Sequence, residues 1–453
     1  MNQDSSTVDH RRRFWRLAIV NVISNLMVPL ASLVDVAFLG HLTEIRHLAG
    51  VAIATVLFNY IYWTFGFLRM GTTGLTAQAR GRGDTQVELL ILLRHGAIAL
   101  VIGTIILALQ QPLREIGFTL LQADPEVLQA GRSYYNALIW GAPATLLNFV
   151  LFGWWLGREQ GKEVLLISVV NSGANIVLDY LFVVRWEYSS AGAGAATALS
   201  QVITLIMGLI LVYHELRGRE IFGEGKGNLM RLSKEIWELS ALKAAFDLNK
   251  DILLRTLALV STFALFTNLS ATMGTTTLAG NTLLLQVVTL AAYFIDGVAF
   301  ATESMAGNLQ GQGKKAQLLP LLKLAGSVSL LSGLGFAVVF NLFPLPLFGL
   351  LTSHSEVILQ IQYYLWWLFP VLGFGAIAYM LDGYFLGLTA GKILRQSTLS
   401  AAVIGFAPMA ISAWYWQTNH LLWLALTLFM ATRSVTLGWK INYSDITTCK
   451  LDQ

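Results

Sequence analysis

Long apolar runs, broken by short polar stretches, make up most of this chain. Twelve runs of about 20 residues or more can be marked, at 14–40, 48–80, 89–110, 130–157, 163–184, 191–214, 247–270, 278–310, 318–343, 359–388, 396–417 and 420–440. About 20 helical residues cross the roughly 30 Å hydrocarbon core of a bilayer. A membrane barrel would instead show polar and apolar residues alternating in segments of about ten, and these runs are continuous. Each is predicted to be a transmembrane helix, which satisfies its own backbone hydrogen bonds in lipid.

The runs also carry a duplication. Leu48-Ala49-Gly50 matches Leu278-Ala279-Gly280 at an offset of 230, and the same offset aligns AQARGRGD (77–84) with GNLQGQGK (307–314). Further on, Gly153, Leu156, Gly157, Gly161 and Lys162 meet Gly383, Leu386, Gly387, Gly391 and Lys392. Two six-helix halves follow, and because six is even both begin on the same side of the membrane, as parallel repeats. The predicted architecture is an N-lobe at 1–214, a polar cytoplasmic linker at 215–246 containing GEGKGN, and a C-lobe at 247–453.

Composition agrees with lipid as the main solvent: 55% of the 453 residues are apolar and 12% charged, about half the charge of an ordinary soluble domain. The 30 basic and 26 acidic residues are dispersed, without the basic face that a nucleic-acid partner needs. With the amino terminus inside, 25 Lys and Arg fall on the cytoplasmic side; only Arg46, Arg114, Arg132 and Arg185 fall outside, and Arg69 lies within a run. Both termini are therefore predicted to be cytoplasmic, in a multi-pass protein of the cell's inner or plasma membrane. Arg11, Arg12, Arg13 and Arg16 precede a first run that holds Pro29 and Asp35 and is too long for a signal peptide, so it reads as a retained helix.

Several chemistries are disfavoured. The single cysteine, Cys449, rules out a disulfide within the chain and a cysteine-cluster metal site. No GxxxxGK[ST] is present for ATP, and neither HExxH nor a Ser/His/Asp spacing stands out among the seven scattered histidines. No enzyme and no resident cofactor or metal are expected. Gly71/Gly74 and Gly192/Gly194 read as close helix contacts, Pro29 and Pro143 as bends, and Trp154-Trp155 and Trp366-Trp367 as interfacial belts.

The residues that carry chemistry are those costly in lipid, where a central charge is unfavourable by about 2.5–3.5 kcal/mol on insertion scales. Asp35, Arg69, Asp179, Asp296, Glu303 and Asp382 qualify. Asp35 follows Asn21, Asn25, Pro29 and Ser32 along one polar stripe, and Asn171, Asn175 and Asp179 recur at helical spacing on one face. A carboxyl group kept from water takes up protons more readily, and amide neighbours discriminate between its two protonation states. Asp35 and Asp179 therefore suit a proton-driven switch. The alternative is that Asp35 caps a helix or is solvated and that the asparagines only join helices. For Asp296, Glu303 and Asp382 two roles stay open: coupling charges, or ion pairs with Arg255 and Arg69.

The segments LVDVAFLGHL, FLRMGTTGLTAQARG, NIVLDYLFV, AYFIDGVAFATESMAG and MLDGYFLG occur in order and resemble the DinF-like branch of the MATE (multidrug and toxic compound extrusion) transporters over essentially the whole chain. The resemblance implies a V-shaped pair of six-helix lobes about a central cavity. It also implies export of small organic, often cationic, compounds against H⁺ as coupling ion, with Na⁺ as the alternative. It places the coupling carboxylate at Asp35 and adds Asn175, Asp179, Thr197 and Tyr134 around it. The working reading is a monomeric proton antiporter operating by alternating access, with Asn25 in the supporting network. Rival readings are an organic-anion exporter, a lipid-linked-oligosaccharide flippase and a non-transporting membrane scaffold.

Overall fold

The computed structural model describes residues 2–40, 44–120, 124–217, 235–352 and 354–448; linker residues 218–234 and Cys449 lie outside them. Every element among the described residues is helical. Twelve helices are long and apolar enough to span a membrane. They are α1 (His10–Gly40), α2 (Arg46–Arg82), α3 (Thr85–Ala108), α4 (Pro125–Gly157), α5 (Gly161–Arg185) and α6 (Ser189–Leu216). The second half supplies α7 (Ser240–Thr272), α8 (Thr275–Gly311), α9 (Lys315–Leu342), α10 (Ser355–Gly387), α11 (Gly391–Trp416) and α12 (Asn419–Ile441).

Packing divides the chain into two units, residues 23–246 and residues 1–22 with 247–453. The division runs through α1 as well as the linker region. Phe14, Leu17 and Ala18 on the first part of α1 are buried, and Gly297 of α8 lies directly against the Val22 backbone, where an added methyl would come within 2.6 Å of Val22 N and Cα. The first turns of α1 thus pack with α7–α12 and its remainder with α2–α6.

The duplication is visible as packing within each unit. Gly153 and Gly157 of α4 press on the Arg69 and Thr73 carbonyls of α2, while Gly383 and Gly387 of α10 press on the Ala299 and Glu303 carbonyls of α8. The carbonyl partners are themselves 230 residues apart, so one backbone-to-backbone contact has been copied. Glycine permits such an approach because it has no Cβ to separate the helices.

Interruptions recur too. A 3₁₀ turn breaks α4 at Ile139–Gly141 and α10 at Leu365–Trp367, and a π turn widens α5 at Tyr180–Arg185 and α11 at Ala401–Phe406. Pro143 opens the helix that follows the first of these breaks, whereas α1 passes Pro29 without interruption. Gly192 and Gly194 do make close contacts, against the Phe182 and Tyr134 carbonyls. Trp154 and Trp155 form no belt: both are fully buried. The Trp154 Nε1–H donates to the Glu88 carbonyl at 2.9 Å, and Arg158 lies over its ring at 4.3 Å.

Candidate functional site

Two carboxyls meet inside the first unit. Asp35 lies near the end of α1, and Asp179 is the last regular residue of α5 before its π turn. Asp179 is 1% exposed, Asp35 is half-buried, and the two side chains face one another at interacting distance. Asp35 Oδ1 and both Asp179 carboxyl oxygens are buried without a hydrogen-bond donor. Among the described residues neither acid has a cationic partner. That is the feature that sets this pair apart, because a buried charge is ordinarily matched by another.

Polar groups surround the pair. Tyr134, buried on α4, is within electrostatic reach of both acids, and its hydroxyl is within hydrogen-bonding reach of Thr55 and Thr197. Asn175 Nδ2 donates to Thr197 Oγ1 at 3.4 Å, and Thr197 donates in turn to the Ala193 carbonyl at 3.0 Å. Gly194 makes this possible, since a Cβ there would stand 2.5 Å from the Tyr134 carbonyl and push α6 off α4. The structure therefore brings Asp35, Asp179, Tyr134, Asn175 and Thr197 together.

Asn25 stands elsewhere. It precedes Asp35 by ten residues of continuous helix, about 15 Å of rise, and so is outside this shell. Asn171 also serves another purpose, with its Oδ1 accepting from Thr204 across α5 and α6 at 3.1 Å. Ser172, on the same stretch, donates to the Met27 carbonyl of α1 at 3.3 Å.

The second unit handles its charges differently. Asp382 is held by both Arg255 and Arg433, all three buried. Arg433 is completely enclosed, with its guanidinium 5.4 Å from the Tyr379 ring centre and 5.5 Å from that of Phe429. Asp296 is half-buried within electrostatic reach of Arg433 and Tyr379. Glu303 is fully buried two turns further along α8. Of the two proposed cations, Arg255 does pair with a second-half acid, while Arg69 belongs to the first unit.

Two buried cations escaped the sequence reading. Arg433 sits inside α12, and the largely apolar stretch before it, LLWLALTLFMAT, is the sequence signal for that placement. Arg158 falls between the predicted runs 130–157 and 163–184, but its side chain is 1% exposed and pairs with Glu88 at 3.3 Å and Glu215 at 2.5 Å. The adjoining Trp154-Trp155 pair was the clue, since guanidinium groups stack on indole.

The MatE family pattern matches residues 21–181 and 252–411, once in each half. The chain is 35% identical over 436 residues to DNA damage-inducible protein F of Escherichia coli strain K12, covering 95% of this chain and 92% of that protein. It is 25% identical over 439 residues to Protein DETOXIFICATION 44, chloroplastic, of Arabidopsis thaliana, covering 91% and 79%. Its fold is similar to that of a multidrug resistance MATE family transporter of the MOP superfamily in an outward-facing conformation. The TM-score there is 0.82, at 21% identity and 96% coverage of both chains.

Proposed function

This chain belongs to the MatE family of multi-pass membrane efflux transporters, and on that premise we propose that it exports small organic cations by proton antiport, with Asp35 and Asp179 as the coupling pair. The observation that carries this reading is the pair itself: two facing carboxyls, enclosed in helix packing, with no lysine or arginine to balance them among the described residues. Such a pair can be neutralised from outside the protein by an organic cation or by a proton, and the two compete.

The cycle follows from that competition. With the pair charged, a cation is held at the site; a proton arriving from the outer side takes its place, and the cation leaves. Tyr134, Asn175 and Thr197 tell the two forms apart, because a carboxylate only accepts hydrogen bonds whereas a carboxylic acid also donates one. Pro29, six residues before Asp35, removes one backbone donor from α1, which gives the helix a place to bend as the charge changes. The two halves alternate in opening the site to either face of the membrane. Reciprocity sets the yield: each tenfold loss of cation affinity on protonation is matched by a tenfold change in proton affinity when the cation binds.

The Lys/Arg distribution supports cytoplasmic termini, and names such as "Probable multidrug resistance protein NorM" among the relatives support small organic cargo. A single chain with both halves suffices as the working unit. In proteoliposomes, an imposed proton gradient is expected to drive efflux of an organic cation by wild type, a sodium gradient alone is not, and Asp35→Asn is expected to abolish the proton-driven component. Undiminished proton-driven efflux by Asp35→Asn, or efflux driven by sodium alone, contradicts the proposal.

A further inference from the structure

The amino end of α1 presents a charged stripe that the transport chemistry does not use. Arg11, Arg12 and Arg16 are exposed there, and among the described side chains, which begin at His10, none of them has a carboxylate or other partner. Trp15 between them is 43% exposed, and the same side of the helix continues through Ile19 and Ile23, at 54% and 43%. The opposite side, Phe14, Leu17 and Ala18, is buried in the protein. Reading along the open face, guanidinium gives way to indole and indole to aliphatic carbon within about 18 Å of helical rise. This is the order in which a bilayer changes from headgroup to interface to hydrocarbon.

We propose that this face is a binding site for the phosphate headgroups of anionic phospholipids, held by Arg11, Arg12 and Arg16. Arg12 and Arg16 lie one turn apart, near enough on a helix surface to reach one phosphate together, and guanidinium binds phosphate in a two-point fork. Trp15 fixes the depth by lying at the interface beneath them. The segment matters because α1 also carries Asp35, so a headgroup held at one end anchors the helix whose other end holds the coupling acid. This consequence for transport rests on the proposed function; the binding itself does not.

The test uses the full-length protein in detergent micelles doped with equal amounts of phosphatidylglycerol and phosphatidylcholine, with retained lipid counted by mass spectrometry. Wild type is expected to retain an excess of phosphatidylglycerol. The triple variant Arg11→Gln/Arg12→Gln/Arg16→Gln is expected to lose at least about fivefold of that preference, and the matching triple Arg→Lys variant to keep most of it. All three positions are exposed, so the variants are expected to elute as wild type does. An unchanged preference in the glutamine variant overturns the proposal. So does its abolition in wild type by millimolar inorganic phosphate, which would assign the arginines to the free ion. Proton-driven efflux that stays unchanged in the glutamine variant despite its lost lipid retention would count against the consequence for transport alone.

Discussion

Asp35 and Asp382 are both carboxylates among membrane helices, and they differ in what faces them. Asp382 holds two buried guanidinium groups, so its charge is already spent within the protein. Asp35 faces another acid. Opposite mutational behaviour follows. Asp382→Asn would leave Arg255 and Arg433 enclosed without their shared counter-charge, and removing one partner of a buried pair typically costs about 3–5 kcal/mol. Thermal unfolding of the purified variant in detergent is expected to show a large loss of stability. Asp35→Asn removes a charge that no cation among the described residues balances, and its unfolding temperature is expected to stay near that of wild type while transport fails. A destabilised Asp35→Asn, or an Asp382→Asn as stable as wild type, would reverse these assignments. Asp35 and Asp179 were legible in the sequence because a carboxylate in an apolar run is conspicuous. That Asp382 is neutralised was not, because Arg433 comes from a helix 51 residues away in sequence, and spacing along a chain does not report which helices touch.

At the scale of the helix, glycine decides how closely elements approach. The α4–α2 and α10–α8 contacts each rest on two glycines against carbonyls. Gly383→Val is expected to force α10 from α8 and to lower stability by about 1–3 kcal/mol, the usual cost of overpacking. Gly153→Val is expected to do the same to α4 and α2. By contrast Gly173, which has open space beside it, is expected to accept alanine with little change; comparable losses at Gly173 and Gly383 in thermal unfolding would sink this explanation. The glycine repeat could be read from the 230-residue offset, but its partners could not. The π turn that follows Asp179 was equally invisible: a single extra residue per turn leaves hydrophobic periodicity almost unaltered over so short a stretch.

At the scale of the molecule, helix number, duplication and membrane setting follow from hydrophobic run length and internal repetition, which are properties of the chain itself. The division of α1 between two packing units did not, because it depends on Val22 meeting Gly297 across 275 residues. The asymmetry between halves is the larger lesson. Among the described residues the duplicated scaffold carries an acid pair without a cationic partner in one half and an Arg–Asp–Arg cluster in the other; under the proposed function the first exchanges charge and the second holds it fixed. Exchange at the first site is directly measurable as proton release when an organic cation binds to the purified protein in weakly buffered solution. Wild type is expected to release about one proton per cation bound and Asp35→Asn/Asp179→Asn none. Equal release by both proteins, or cation binding by wild type with no proton released, would contradict the exchange.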